Sequence, residues 1–524
     1  MKSKTKIAAP RDASAVVLLN QDSSKVVWAQ RNPQIAFLDG WHAFPGGKVE
    51  VADALVKIKN CADESLEKFV VAAARECFEE VGVLLVGGGE RLTRGQRISL
   101  HDDLISGRFS FAEILTGWNL HIDAANFSYA GFWTTPQFSP VRFKTRFFVA
   151  RCPLKQTPYD AISELRNVRF TEPKTALQLW EKSEVLISPP VLIAFKELSD
   201  ATKDGENLTA DERGFTQISQ RLKAENRKIK NVAQKLLEKS KIRAGEIDYV
   251  ELNSRLVCFP VKTETLPPAT HTNCFIVGGK EFVVIDAAAR GESEQAKLFK
   301  LVDDFVEHGG VCREIVVSHL HRDHIGGERA LRKHLLEKYS MRAPISAHRS
   351  TLENVRDIQF EDFDKTLNDG VFNLADKNGK RFDLQILHTP GHARGHVAFY
   401  DEAFGFLLSS DNVLGAGSVL IAPPEGNMID YLASLEQLKN LPNLRFLCGS
   451  HGAAIFDAKS KIESYIAHRL ERERKIIEAV ENGAKNASEI VEKVYTDVSV
   501  DLWTLAEKSV EAHLEKLETE GFRF

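Results

Sequence analysis

The stretch Ser318-His319-Leu320-His321-Arg322-Asp323-His324 sets three imidazoles and a carboxylate within six consecutive positions. It continues the apolar run 315–318, which reads as a β-strand. In an extended segment alternate side chains share a face, so His319 and His321 are expected to point together. Asp323 and His324 follow as the chain turns through Gly326 and Gly327. Imidazole nitrogens beside carboxylate oxygens are ligands suited to zinc.

Working outward, the same pattern recurs. His392 stands in His388-Thr389-Pro390-Gly391-His392 after the largely apolar 384–387. Asp411 follows the strand-like 406–410, and His451 follows 446–448 within Gly449-Ser450-His451-Gly452. Each is a polar residue just past an apolar strand, where an α/β sheet presents its ligands. Of the 16 histidines, 13 lie beyond residue 250, which points to imidazole chemistry in that half. A lone histidine is usually structural or on the surface, and His308, His334, His348, His468 and His513 take that reading. Strand and helix patterns alternate through 282–285, 292–305, 315–318 and 328–338, which indicates α/β layering.

Residues 250–455 resemble the metallo-β-lactamase fold in the H-x-H-x-D-H run, the T-P-G-H motif at His392, and Asp411 and His451. Asp286, after the strand 282–285, matches that family's first acidic position. The resemblance implies that His319, His321 and His392 hold one Zn2+. It implies that Asp323, His324 and His451 hold a second, with Asp411 bridging. Such a pair, about 3.5–4 Å apart, activates water near neutral pH and polarises the scissile group. Asp323 would orient the nucleophile, while His396 would either stand behind the ligands and support them or face the substrate. Thr272-Asn273-Cys274-Phe275, 410–415 and 430–435 are similar to the glyoxalase II-like and lactamase-like endoribonuclease branch. Two departures are Gly449-Ser450-His451-Gly452 in place of P-G-H-G, and Asp286-Ala287-Ala288 in place of acidic-Thr-Gly.

The first half carries a different constellation, Arg75-Glu76-Cys77-Phe78-Glu79-Glu80-Val81-Gly82-Val83. On a helix over 65–80, Glu76, Glu79 and Glu80 share one face. Carboxylates packed this way repel unless a cation sits among them, and carboxylate oxygens with retained waters suit Mg2+ or Mn2+. Arg75 can buffer the cluster. The run resembles the Nudix box, G-x5-E-x7-R-E-U-x-E-E-x-G-U with U apolar. Glu67, eight residues before Arg75, takes the first glutamate position, with a 14-residue insertion around 51–63. Phe44-Pro45-Gly46-Gly47, Trp133-Thr134-Thr135-Pro136 and 142–148 are similar to the coenzyme A diphosphatase branch. This resemblance implies catalysis by Glu67 and Glu79 on a small-molecule diphosphate, with the metal held by Glu76, Glu79 and Glu80.

The chain has 524 residues, which sets a prior of about three domains. A net charge of −4 excludes a polyanion binder acting through overall charge, though not a local basic patch. Such a patch lies over 213–243, where ten Lys/Arg face two Glu and Ile218, Leu222, Ile229, Val232 and Leu236 recur at helical spacing. At 43% apolar and 27% charged, the chain is folded rather than disordered. The seven cysteines form no C-x-x-C pair, the mark of a reduced compartment. No run of 18 apolar residues and no signal peptide appear, so a cytoplasmic location and no membrane partner are expected.

The expected fold class is multidomain α/β. A Nudix α/β/α sandwich over 1–200 leads through a basic helical linker, 201–246, to a metallo-β-lactamase αββα sandwich over 247–455. A helical, winged-helix-like C-terminal module covers 456–524. The expected function is that of a metal-dependent hydrolase with two sites, one cleaving a diphosphate and one an ester or phosphodiester. Single-stranded RNA is a candidate partner of the second. Two alternatives stand beside this reading: a thioester hydrolase paired with a coenzyme A diphosphatase, and a Nudix half that binds nucleotide without cleaving it. Oligomeric state is left open.

Overall fold

The computed structural model describes residues 8–32, 38, 40–139, 141–162, 164–203, 215–354 and 363–523. The first seven residues, Arg213 and the polar stretch 204–211 lie outside the described residues, as do the side chains of Ile218 and Leu222. Chain contacts divide the molecule into two compact units, one ending at Val250 and one running over Glu251–Phe524.

The first unit is built on seven strands: β1 (Arg11–Leu19), β2 (Val26–Arg31), β3 (His42–Ala43), β4 (Gly46–Lys48), β5 (Ser128–Thr134), β6 (Phe143–Arg151) and β7 (Leu165–Thr171). Their order is β3-β2-β1-β6-β5, with β4 on β1 and β7 on β2, and β1 runs parallel to β6. The two-residue period of β1 feeds two cores. Val16 and Leu18 join a cluster with α1 (Glu67–Val81), α2 (Arg94–Ile105) and α3 (Phe111–Gly117). Ala15, Val17 and Leu19 join the opposite cluster, with α4 (Pro173–Glu181), α5 (Pro189–Lys203) and α6 (Phe215–Ile242). The sheet is therefore covered on both faces.

Helix α6 contains the basic run expected to be a linker. Over its described side chains it is a wall of the first unit: Ile229, Val232, Ala233 and Leu236 are buried in the cluster with Trp28 and Phe195. Burying such side chains stabilises by roughly 1.5–3 kcal/mol each, which holds the helix on the sheet while its lysines face water. Ser240 docks at the irregularity in β5, donating to the Phe132 carbonyl (2.9 Å) and accepting from its N–H (3.1 Å). Gly131 permits this approach, since a Cβ there would lie 2.6 Å from the Ser240 Cβ.

The second unit contains β8 (Val250–Glu251), β9 (Leu256–Lys262), β10 (His271–Gly278), β11 (Glu281–Ile285), β12 (Val311–Val317), β13 (Ile345–His348) and β14 (Lys365–Leu367). It continues with β15 (Gly370–Ala375), β16 (Arg381–His388), β17 (Val397–Asp401), β18 (Phe406–Ser410) and β19 (Phe446–Gly449). The sheet order is β14-β13-β12-β11-β15-β16-β17-β18-β19, with β10 beside β11 and β9 beside β10. A single register pair, Glu281↔Ala375, joins β11 to β15, and the sheet curls. Strands β10, β17, β18 and β19 are buried along their whole length, in keeping with the apolar runs 274–277, 397–400, 406–408 and 446–448. Helices α7 (Glu292–Glu307), α8 (Glu328–Tyr339), α9 (Arg349–Asn354) and α10 (Met428–Lys439) complete this layer. Three more follow: α11 (Ala458–Glu481), α12 (Ala487–Val494) and α13 (Trp503–Thr519). Asn486 caps α12 by accepting from the Glu489 N–H (3.0 Å). Among the described residues, no helix is long and apolar enough to cross a membrane.

Candidate functional site

Every proposed zinc ligand sits just past the C-terminal end of a strand. His319–His324 follow β12, His392 follows β16, Asp411 follows β18 and His451 follows β19. The ligand run His319–His324 is a loop rather than a continuation of the strand. Strand β12 ends at Val317, the chain bends at His319 and Leu320, and 322–324 form a turn closed by His324 N–H donating to the His321 carbonyl (3.0 Å). His319 and His321 therefore converge because the loop curls, not because alternate positions of a strand share a face.

The ligand atoms form two groups, each gathered within 4.8 Å: His319, His321, His392 and Asp411, and Asp323, His324 and His451. His321 Nδ1 lies 3.0 Å from His319 Nε2 and 2.9 Å from His392 Nε2. The far nitrogens are held by the protein: His392 Nδ1 on the Leu420 carbonyl (2.8 Å) and His451 Nδ1 on the His271 carbonyl (2.8 Å). Each of these rings donates backward and turns its Nε2 lone pair into the site. Asp411 lies between the groups. Its Oδ2 is 3.4 Å from His392 Nε2, and its Oδ1 is 3.5 Å from His324 Nε2 and 3.6 Å from His451 Nε2.

The electrostatics are those of closely coupled acids and bases. Burial pushes His319 and His321 well below the usual imidazole range, so both offer lone pairs. Burial also opposes a charge on His324, yet Asp411, Asp286 and Asp323 around it raise it well above that range. Burial alone would raise Asp411, but His324 and His451 hold it low. His324 Nε2 and Asp411 Oδ1 are buried without a hydrogen-bond partner, a cost that a shared metal removes. This donor set fits a divalent metal site.

Asp286, which follows β11, lies behind the ligands. It accepts from the Ser318 N–H (2.8 Å) and hydroxyl (2.7 Å) and lies 2.8 Å from His324 Nδ1, fixing that ring. His396 is not substrate-facing. It is fully buried, its Nε2 accepts from the Asp411 N–H (3.1 Å) and its Nδ1 meets Thr389 Oγ1 (2.9 Å), so it positions Asp411 through the backbone. The sequence reading missed Thr265, whose hydroxyl lies 3.3 Å from His451 Nε2, and the hydroxyls of Ser318, Ser410 and Ser450, linked at 2.8 and 3.2 Å beneath the site. Ser450 is the departure from P-G-H-G, and this contact is the signal that only the fold supplies.

In the first unit, α1 carries Arg75, Glu76, Glu79 and Glu80 on its last two turns. Arg75 Nη1 lies 3.0 Å from Glu76 and 2.9 Å from Glu79. Glu80 accepts from the Gly46 N–H (2.7 Å). Gly47 abuts Glu76 so closely that a Cβ there would lie 2.4 Å from Oε1. Burial and then Glu76 push Glu80 up to about 8, and burial pushes Glu76 up to about 7. A divalent ion stabilises such carboxylates in their charged form.

Glu67 is not part of this cluster. It is the first residue of α1, and twelve residues of helical rise set it about 18 Å along the axis from Glu79. The position belongs instead to Asp53, six residues after Gly47, so the insertion follows that residue rather than preceding it. Asp53 is 2% exposed and grips Arg75 in a fork, Oδ1 to Nε at 2.9 Å and Oδ2 to Nη2 at 3.1 Å. The aspartate-for-glutamate exchange concealed it in the sequence.

Comparison with known proteins agrees with both halves. A NUDIX domain model matches residues 9–103 and a metallo-beta-lactamase superfamily model matches residues 267–451. A beta-lactamase associated winged helix domain model matches residues 487–522. The chain is 29% identical over 259 residues to the Beta-lactamase-like protein 2 homolog of Drosophila melanogaster, covering 48% of this chain and 83% of that protein. It is 28% identical over 222 residues to the Atrochrysone carboxyl ACP thioesterase nsrC of Aspergillus novofumigatus, covering 41% of this chain and 60% of that protein. A solved NUDIX hydrolase from Alicyclobacillus acidocaldarius is 26% identical and covers 37% of this chain and 92% of its own, with a TM-score of 0.34. The chain is a hydrolase that carries a NUDIX domain, a metallo-beta-lactamase superfamily domain and a winged helix domain in succession.

Proposed function

We propose that the chain is a two-site metallohydrolase whose lactamase-fold site cleaves a thioester and whose NUDIX site cleaves a diphosphate, two linkages that occur together in acyl-coenzyme A. The observation that carries the first site is Asp411, with one carboxylate oxygen toward each imidazole group. His319, His321 and His392 would hold one zinc and Asp323, His324 and His451 the other. When bound, the zincs supply a Lewis acid and an activated water near neutral pH. Asp323 lies at the mouth of the site, its side chain 14% exposed and Oδ2 3.4 Å from His451 Nε2, placed to orient that water. The thioester assignment draws on the thioesterase among the relatives.

In the first unit Glu76, Glu79 and Glu80 would hold Mg2+ or Mn2+, with Arg75, fixed by Asp53, setting the side chains of Glu76 and Glu79. The buried, mutually repelling carboxylates support this reading.

A second reading, single-stranded RNA at the lactamase-fold site, draws on the winged helix match. Against it, residues 457–523 hold 15 Asp/Glu and 11 Lys/Arg, so that module repels phosphates. The test is hydrolysis of acyl-coenzyme A by the full chain, following free thiol and diphosphate cleavage separately. His392→Ala should abolish thiol release and spare diphosphate cleavage, and Glu79→Gln should do the reverse. Salt-sensitive RNA cleavage without thiol release would replace the thioester reading with the RNA one.

A further inference from the structure

Helix α11 presents two buried arginines one turn apart, Arg469 and Arg472, which reach in different directions. Arg472 Nη1 donates to the Val494 carbonyl (2.6 Å) and its Nη2 pairs with both oxygens of Asp497 (2.8 and 2.6 Å), all within the C-terminal helices. Arg469 turns toward the metal centre. Its Nη2 donates to the Val419 carbonyl, and its guanidinium lies 5.4 Å from the ring centroid of Tyr431.

Each contact of Arg469 leads to a ligand through one intervening residue. The residue after Val419 is Leu420, whose carbonyl orients His392 through Nδ1 (2.8 Å). The Tyr431 hydroxyl donates to the Asn412 carbonyl (2.8 Å), and Asn412 follows Asp411. One turn earlier on α11, the Tyr465 hydroxyl accepts from the Leu414 N–H (3.2 Å). The loop that bears Asp411 and orients His392 is therefore held by α11 through side chains rather than by the sheet alone. Arginine suits this place because its planar fork can donate to a carbonyl while lying near an aromatic ring.

We propose that Arg469 is a positioning residue for the three-histidine metal site, and that it makes metal retention there depend on the packing of α11. The proposal rests on the metal-site reading above. Partners that orient a ligand histidine typically contribute 10–100-fold in metal affinity.

The test is competitive zinc titration of the metal-stripped full chain against a chromophoric chelator, with a thermal melt beside it. The unaltered chain should take about two equivalents. Arg469→Gln should bind one of them at least about tenfold more weakly and leave the other unchanged, with Arg469→Lys falling between. Arg472→Gln should lower the melting temperature comparably and keep both affinities. If Arg469→Gln does not fold, Arg469→Lys is read alone: a smaller loss confined to one equivalent supports the proposal, and two unaltered equivalents overturn it. Two unaltered equivalents in Arg469→Gln, or the same single loss in Arg472→Gln, overturn the role of Arg469 while leaving the metal site standing. An unaltered chain that binds no zinc overturns both.

Discussion

In the NUDIX domain, Arg75, Glu76, Glu79 and Glu80 all ride on α1, whereas in the lactamase domain seven donors ride on four segments behind β12, β16, β18 and β19. The first set inherits its spacing from one helix, and the Gly46 N–H and Asp53 then hold Glu80 and Arg75 in place. The second set exists only when strands far apart in sequence lie side by side. The helical site buries like charges and manages them with one guanidinium. The strand-end site alternates imidazoles with carboxylates, so its charges offset one another even before an ion enters.

This contrast can be broken or sharpened by substitution. The largest effect is expected at Asp411, whose two carboxylate oxygens face the two imidazole groups. Asp411→Ala should remove most of the bound zinc and lower lactamase-site turnover by more than about 10³-fold, about 4 kcal/mol, while NUDIX turnover stays level. Metal analysis and paired assays check this, and a chain that retains two tight zincs breaks the bridging assignment.

Next comes the register of the NUDIX box. Asp53→Asn should lower diphosphate cleavage by about 10–100-fold, because Arg75 loses the buried charge that fixes it. Glu67→Gln should change it less than about threefold. The reverse ranking would restore Glu67 to the motif.

Asp286→Asn should weaken zinc on the His324 side by about 10–100-fold and spare the three-histidine side. Equal loss at both sides would mean that the two groups act as one unit.

The smallest effect concerns pH. Burial pushes His42 down to about 4 from 6.5, against the Trp28 ring at 4.2 Å. The folded state therefore excludes a proton that the unfolded chain accepts. This contribution is whole above pH 6.5 and is lost as pH falls toward 4, by about 3 kcal/mol in all. His42→Phe should lessen the drop in melting temperature between pH 7 and pH 5 by a few degrees.

Both motifs were legible because each confines distinctive residues to a short span. Glu76, Glu79 and Glu80 announce a helix face, and His319 to His324 announce a ligand loop. The convergence of His319 and His321 was foreseen for a reason the backbone does not obey, because the strand stops two residues before His319. Asp53 was hidden, since an aspartate before a long insertion matches the pattern less well than a glutamate at the spacing counted back from Arg75. Helix α6 read as a linker because its charge is conspicuous, and its buried stripe is only one residue in three or four. Ser450 and Arg469 gave no signal, and His396 gave only its nearness in sequence to His392, because each acts through a backbone group or hydroxyl that only folding brings near.

Residue types and their spacing marked which side chains could hold a divalent ion in the lactamase half and which carboxylates cluster in the NUDIX half, since ligand chemistry is a property of the single residue. The tertiary structure alone decided how those groups are shared and aimed. It set Asp411 between two histidine groups, gave Arg75 its partner in Asp53 and tied His392 to α11. The physical reason is range. Ligand type is written in single residues, and helix periodicity in spans of a few turns. Orientation depends on hydrogen bonds between residues tens to hundreds of positions apart, whose meeting is paid for by burying the apolar strands between them.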